Sequence, residues 1–226
     1  MCNRYGYLAP ISRLTDEFSQ IRIPFHWAGG AVANLEPRDA IRPTNSAPIL
    51  RPVDPADPGA GLELAELRWW LVPFFHKGAV KDWKAMCTNA KCETIDTTAA
   101  FREAYRRRRC IVPATHFFEW SPIDPAKPKG PKRKWRVTAE GREIFYFAGL
   151  WDTAHPSDHD GPLHSFTLAT CAPGEDIQPY HHRQPVILDA AGAAEWLKLD
   201  GPGKALLQPS NPGTLRFTED LAPEAA

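Results

Sequence analysis

Cys2 follows Met1 directly, and loss of that methionine would leave an α-amine and a thiol on adjacent carbons of one residue. Unperturbed, the amine titrates near ~8 and the thiol near ~8.5, so both nucleophilic forms lie within reach of neutral pH. Such a 1,2-aminothiol captures aldehydes: the amine forms an imine, and the thiol closes it into a five-membered thiazolidine ring. While Met1 is present the amine is acylated, and neither step is open to it. Cys87, Cys92, Cys110 and Cys171 lie inside the chain and lack the paired amine. An odd total of five cysteines with no secretion signal reads as reduced thiols rather than a disulfide framework.

Three further segments carry groups suited to proton transfer or anion binding. Glu119 stands among Phe117, Phe118 and Trp120 at the end of an apolar run, where desolvation would raise its pKa and fit it for acid–base work. Asn89 to Thr94 concentrates polar groups just before a helix expected to cap at 96–98. Tyr180-His181-His182-Arg183-Gln184-Pro185 sets two imidazoles and a guanidinium ahead of a strand. Histidine moves protons near neutral pH and arginine grips phosphate bidentately.

The elements that must position these groups are mostly strands. Runs rich in β-branched and aromatic residues recur at 67–73, 110–120, 134–139, 144–152, 165–172 and 185–188. Helices are expected at 13–20 and 97–109, each with a narrow apolar face, and at 191–199, which carries Trp196 and Leu197. Twenty-three prolines break the remainder into short pieces. The fold class expected is α+β, a mainly-β single domain over 1–226 with a few short helices and long loops. Its core would span about 2–200, with flexible loops at 52–61 and 121–131 and a C-terminal tail at 209–226.

The 27 basic residues balance 27 acidic ones, so high net charge gives no argument for nucleic acid. Local concentration does: Arg106 to Arg109 and the run from Lys127 to Arg136 are basic segments within a neutral total. No apolar run approaches the roughly 18 residues of a membrane span, and a cytoplasmic protein is expected.

The motifs Cys2-Asn3-Arg4-Tyr5, Arg68-Trp69-Trp70-Leu71-Val72-Pro73, Asn89-Ala90-Lys91 with Glu93-Thr94, Arg109 to Ala114 with Phe118-Glu119-Trp120, Ala148-Gly149-Leu150-Trp151, and His181 to Pro185 occur in one order along the chain. Together they resemble the SOS response-associated peptidase (SRAP) family. The resemblance runs from Cys2 to about Leu188. It implies a sensor of abasic sites in single-stranded DNA, whose C1′ aldehyde is captured by Cys2 as a thiazolidine. By the same resemblance Asn89 orients the terminal residue, Glu119 transfers protons, and His181 protonates the sugar ring oxygen to open it. Arg4, Lys91 and Arg183 would face phosphates, and Trp69 or Trp70 would stack on a base. Strand incision at the Schiff-base stage would accompany cross-linking. No cofactor or metal is implied, and the partner is single-stranded DNA bearing abasic sites, with no membrane and a monomeric protein that meets the nucleoid during DNA damage.

Four positions depart from that family's pattern. Asn3 and Trp70 stand where it has Gly, Lys91 where it has Arg, and Gln184 where it has Met. Lys91 keeps the charge but loses the fork that grips phosphate bidentately. Two rival readings compete with DNA chemistry: an amidohydrolase or peptidase using Cys2 as N-terminal nucleophile, and a metal-binding module built on the cysteines and His155, His159 and His164.

Overall fold

Period-two alternation and β-branched or aromatic runs mark out the strands, which are the commonest regular structure among the described residues. The structure, a computed structural model, describes residues 2–27, 36–201 and 203–221. In chain order the first elements are β1 (Tyr5–Tyr7), α1 (Ile11–Gln20), β2 (Phe25–Trp27), β3 (Arg38–Ile41), β4 (Ser46–Asp54), β5 (Asp57–Trp69) and β6 (Asn89–Lys91). Then come α2 (Arg102–Arg107), β7 (Arg109–Ala114), β8 (His116–Pro122), β9 (Lys132–Ala139) and β10 (Phe145–Ala154). The last are β11 (Leu163–Cys171), β12 (Gln184–Pro185), β13 (Ile187–Leu188), α3 (Ala190–Leu197) and β14 (Leu215–Glu219). The mainly-β α+β class expected from the sequence is what forms, as a single domain with three short helices among the described residues.

Strands β5, β4, β7, β10 and β11 pair antiparallel in that spatial order. The ring closes because β11 also pairs parallel with β5, at Ser165 with Arg68 and Phe166 with Trp69. Beside this barrel lies a second sheet, β14–β9–β8–β1–β3. The run expected as one strand over 110–120 is two strands, parted at Thr115, so the chain leaves the barrel as β7 and enters the second sheet as β8. Thr115 N–H donates to the carbonyl of Gly6 at 2.9 Å, which locks β1 onto that junction. Only glycine fits at position 6, since a Cβ there would lie 2.3 Å from His116 Cε1.

The helices cover the outside of the barrel. Leu14 and Phe18 of α1, Ala104 of α2, and Trp196 and Leu197 of α3 bury against barrel residues such as Leu50, Ile111 and Tyr146. A second apolar cluster joins the barrel interior to the second sheet and contains Cys2, Tyr5, Trp69, Phe117, Phe147 and Phe166. Trp69 is fully enclosed there. Its indole stacks on Phe166 at 6.3 Å, takes Tyr5 edge-on at 5.2 Å, and donates Nε1–H to the Thr88 carbonyl at 2.9 Å. Trp69→Ala should therefore cost about 3–5 kcal/mol. For a chain of this size that lowers the melting temperature by on the order of 10 °C in a circular-dichroism melt. A drop of a degree or less would contradict this packing.

Several expected boundaries shift. The segment 52–61 is not a flexible loop but the turn end of the β4–β5 hairpin, which is paired from Ser46 with Arg68 out to Asp54 with Asp57. Its prolines are tolerated because Pro55 falls in the turn and Pro52 sits near the strand end, where one missing donor does not break the ladder. Asp54 Oδ1 accepts the Ala56 N–H at 2.8 Å and closes that turn. The expected loop 121–131 narrows to 123–131, because β8 continues to Pro122. Within the expected tail 209–226, β14 adds an edge strand on β9, and Phe217 stacks on Tyr180 at 4.0 Å; residues 222–226 lie outside the described set. Helix α2 is shorter than 97–109. The Thr94 carbonyl collects the N–H groups of Thr97 and Thr98 and the Thr97 hydroxyl, so 97–101 forms turns and the cap expected at 96–98 is absent.

Candidate active site at the junction of the two sheets

Strand β1 carries the chain start to the second sheet. Tyr5 pairs with Phe117 and Gly6 with His116, and the Arg4 carbonyl accepts the Phe118 N–H at 2.9 Å, extending the ladder toward Glu119. Cys2 just ahead of it is fully buried, its Sγ 3.6 Å from the Arg4 carbonyl. Strand β6 arrives from the other side. It lies parallel to β11, Asn89 opposite Leu168, and the Asn89 side-chain amide donates to the Cys2 carbonyl at 3.0 Å and to the Thr88 hydroxyl at 3.2 Å. Asn89 Oδ1 is buried with no hydrogen-bond partner among the described residues, an acceptor left for an incoming hydroxyl or amine.

Glu119 on β8 is 2% exposed, and burial pushes its carboxyl up to about 7. His181 stands in the loop after β11, its N–H on the Ile177 carbonyl. Its Nδ1 is tethered to the backbone N and O of Arg183 at 3.0 and 2.9 Å, which turns Nε2 toward Glu119 at 3.9 Å. Burial draws the imidazole down to about 4, so at neutral pH the ring is uncharged while the carboxyl is near half-protonated. Burial, with the charge of Glu119 second, holds the Cys2 thiol well above its ordinary range, so it rests as the thiol. Thus the four residues expected to act, Cys2, Asn89, Glu119 and His181, meet at one place.

The expected DNA contacts divide. Arg4 lies over the Trp120 ring at 5.0 Å, and Lys91 is exposed at the end of β6. Arg183 is committed: its guanidinium forks onto Glu93 at 2.6 and 3.0 Å and donates to the Thr170 carbonyl at 2.6 Å. A phosphate would have to displace that carboxylate, which the Arg183 hydrogen bonds hold down at about 2. Trp69 cannot stack on a base, being enclosed in the core as described; strand alternation turned it inward. Trp70, the next residue, is half-buried with a backbone φ of 114°, a conformation that favours glycine.

Sequence reasoning missed Phe74 and Phe75, which are 44% and 43% exposed and meet edge-on at 5.6 Å. Phe74 is held by its N–H on Asp152 at 3.0 Å and by Arg108 over its ring at 5.9 Å. The signal available was two adjacent aromatics after Pro73, followed by His76, Lys77 and Gly78, outside any alternating run. The basic runs proved mainly structural. Arg108 pairs with Asp152, Arg109 donates to the Trp196 and Lys198 carbonyls, Lys134 pairs with Asp220, and Arg136 with Asp39. A pocket of about 560 Å³ opens beside His181 and His182, walled by Trp120, Lys132 and Tyr180.

The model of the family described as SOS response associated peptidase (SRAP) matches residues 1–219. This chain belongs to the SRAP family. Among its relatives, abasic site processing protein YoqW of Bacillus subtilis is 30% identical over 214 residues, covering 92% of this chain and 87% of that one. Abasic site processing protein YoaM of the same organism is 32% identical over 199 residues, 87% of this chain and 79% of its own length. Abasic site processing protein HMCES of Gallus gallus is 28% identical over 150 residues, 59% of this chain and 45% of that one. The fold of this SRAP chain matches a crystal structure from Bacteroides thetaiotaomicron with a TM-score of 0.78 at 20% identity, over 96% of this chain and 91% of that one.

Proposed function

We propose that this protein processes abasic sites in single-stranded DNA and, once Met1 is removed, joins itself to them through Cys2. The carrying observation is the placement of Cys2: carbonyl held by Asn89, thiol enclosed beside Glu119, and His181 Nε2 facing that carboxyl at 3.9 Å. The names of the bacterial and animal relatives support abasic DNA as the substrate.

The chemistry balances with groups in this site. Opening of the deoxyribose ring needs a proton on its oxygen. At neutral pH that proton resides on Glu119 rather than on His181, so the imidazole acts as a relay, borrowing the proton and passing it on. Transfer from a group near 7 to one near 4 is uphill by about 4 kcal/mol, small against a typical chemical barrier. As the ring opens, the C1′ hydroxyl proton returns to Glu119. The terminal amine adds to the aldehyde, the carbinolamine hydroxyl takes that proton and leaves as water, and the iminium N–H proton passes back to Glu119, leaving the imine. Addition of the Cys2 S–H across the C=N bond forms the C–S bond, places the proton on nitrogen and closes the ring. Before closure, the imine acidifies the C2′ hydrogens, and loss of one of them as a proton, with the C3′–O bond breaking and the phosphate leaving, would cut the strand at its 3′ side.

Exposed Phe74 and Phe75 take the stacking role in place of Trp69, with Arg4 and Lys91 toward phosphates. Stacking and phosphate contacts tolerate any sequence, as a lesion sensor requires. The test is incubation of Met1-free protein with a single-stranded oligonucleotide bearing one abasic site. A heat-stable adduct on a denaturing gel is expected; its absence overturns the proposal. Reducing the abasic aldehyde to the alcohol beforehand should abolish the adduct.

A further inference from the structure

A second pocket, of about 530 Å³, lies on the far side of Trp69 and is lined by Trp70, Trp83, Arg68, Lys81, Lys84 and Asp158 among others. Both indoles are fixed. Trp70 donates Nε1–H to the Ala85 carbonyl at 2.9 Å, and Trp83 is braced by Phe75 at 5.9 Å and His76 at 5.4 Å. Arg51, Arg108, Lys134, Arg136 and Arg183 each have a carboxylate, but among the described residues Arg68, Lys81 and Lys84 form no salt bridge. The nearby carboxylate, Asp158, accepts the Val80 N–H at 2.7 Å. Two rigid aromatic faces and three cations without counter-ions suit a planar base attached to a phosphate.

We propose that this pocket binds a nucleotide of the single strand away from the lesion, its base against Trp70 and Trp83 and its phosphates on Lys81, Lys84 and Arg68. The proposal rests on the reading of the protein as a single-strand binder. It gives a reason for Trp70, whose backbone conformation an L side chain adopts only under strain and whose indole is the inner wall of the pocket. The site is near enough to serve the same strand: Ala85, which holds Trp70, is four residues from Asn89, at most roughly 14 Å along an extended chain. The exposed Phe75 contacts Trp83 edge-on at 5.9 Å.

The experiment uses a labelled oligonucleotide carrying a tetrahydrofuran abasic analogue, which lacks the aldehyde and therefore reports binding without cross-linking. Trp70→Gly, at a backbone already suited to glycine, should melt no lower than the parent and bind about tenfold more weakly by fluorescence anisotropy. Lys81→Ala with Lys84→Ala should lower the slope of log affinity against log salt by roughly 1.4, at about 0.7 per phosphate on a single strand. Unchanged affinity in the first variant together with an unchanged slope in the second would overturn the pocket. Parent protein that gives no adduct with true abasic DNA, yet loses affinity for the analogue on Trp70→Gly, would overturn the cross-linking reading and leave the pocket standing.

Discussion

Met1-free protein with Cys2→Ser should form no heat-stable adduct with abasic single-stranded DNA, yet should still be trapped on it when borohydride is present. Serine keeps the terminal amine, so the imine forms and hydride reduces it to a secondary amine. What is lost is ring closure, because a hydroxyl is a far weaker nucleophile than a thiol and the ring it would close reopens readily. Cys2→Ala should behave the same way. The expected magnitude is complete loss of the band that survives heating, with the reduced band retained. A heat-stable band from either variant would remove the thiol from the mechanism; loss of the borohydride-trapped band as well would mean that the amine is not the attacking group. An amidohydrolase using the Cys2 thiol would show neither behaviour, since its amine never meets an aldehyde.

Glu119→Gln should slow cross-linking by about 10²–10⁴, the usual contribution of a positioned proton donor. It should also change the pH profile. The acid form of Glu119 is lost as pH rises through about 7, whereas the terminal amine becomes nucleophilic above ~8, so the parent rate should peak between the two. With glutamine the falling limb disappears and the residual rate climbs steadily with pH. A retained falling limb would assign that proton elsewhere. Stability gives an independent readout. Burial raises the folded pKa of Glu119 above its unfolded value, so the folded state binds the proton more tightly and stability falls as pH rises from about 4.5 to about 7. Relative to the parent, Glu119→Gln should gain up to about 3 kcal/mol at pH 8 and nothing at pH 4, measured by denaturant unfolding. Equal stabilisation at both pH values would show that the carboxyl is not desolvated.

The convergence of Cys2, Asn89, Glu119 and His181 was legible because each carries its own local signal: a terminal position, a polar cluster, a carboxylate among aromatics, a paired imidazole. Glu119 illustrates why this works: Phe117, two residues back on the same face of β8, belongs to the buried cluster, and burial is what raises the Glu119 carboxyl. Arg183 shows where it stops. Glu93, the partner that occupies its fork, lies 90 residues away in sequence, and nothing near either residue announces the pair. The choice between Trp69 and Trp70 lay in the strand alternation, which puts Ala65, Leu67 and Trp69 on one face and Glu66 and Arg68 on the other; the parallel pairing of β5 with β11 carries the first face into the core. At 52–61 composition misled, because prolines and glycines at the turn end of a hairpin look like those of a loop when the partner strand is not in view.

The hydrogen bond from Asn89 reaches the backbone carbonyl of Cys2 and makes no use of the thiol or the amine. Any residue small enough for the enclosed space around Cys2 therefore offers Asn89 the same handle. Among such small residues the seat is indifferent to its occupant, and they would share one orientation and differ only in what their side chains do to an aldehyde. Position 2 is in that sense a reaction vessel of fixed shape, in which serine, alanine and cysteine can be ranked on intrinsic reactivity with placement held constant.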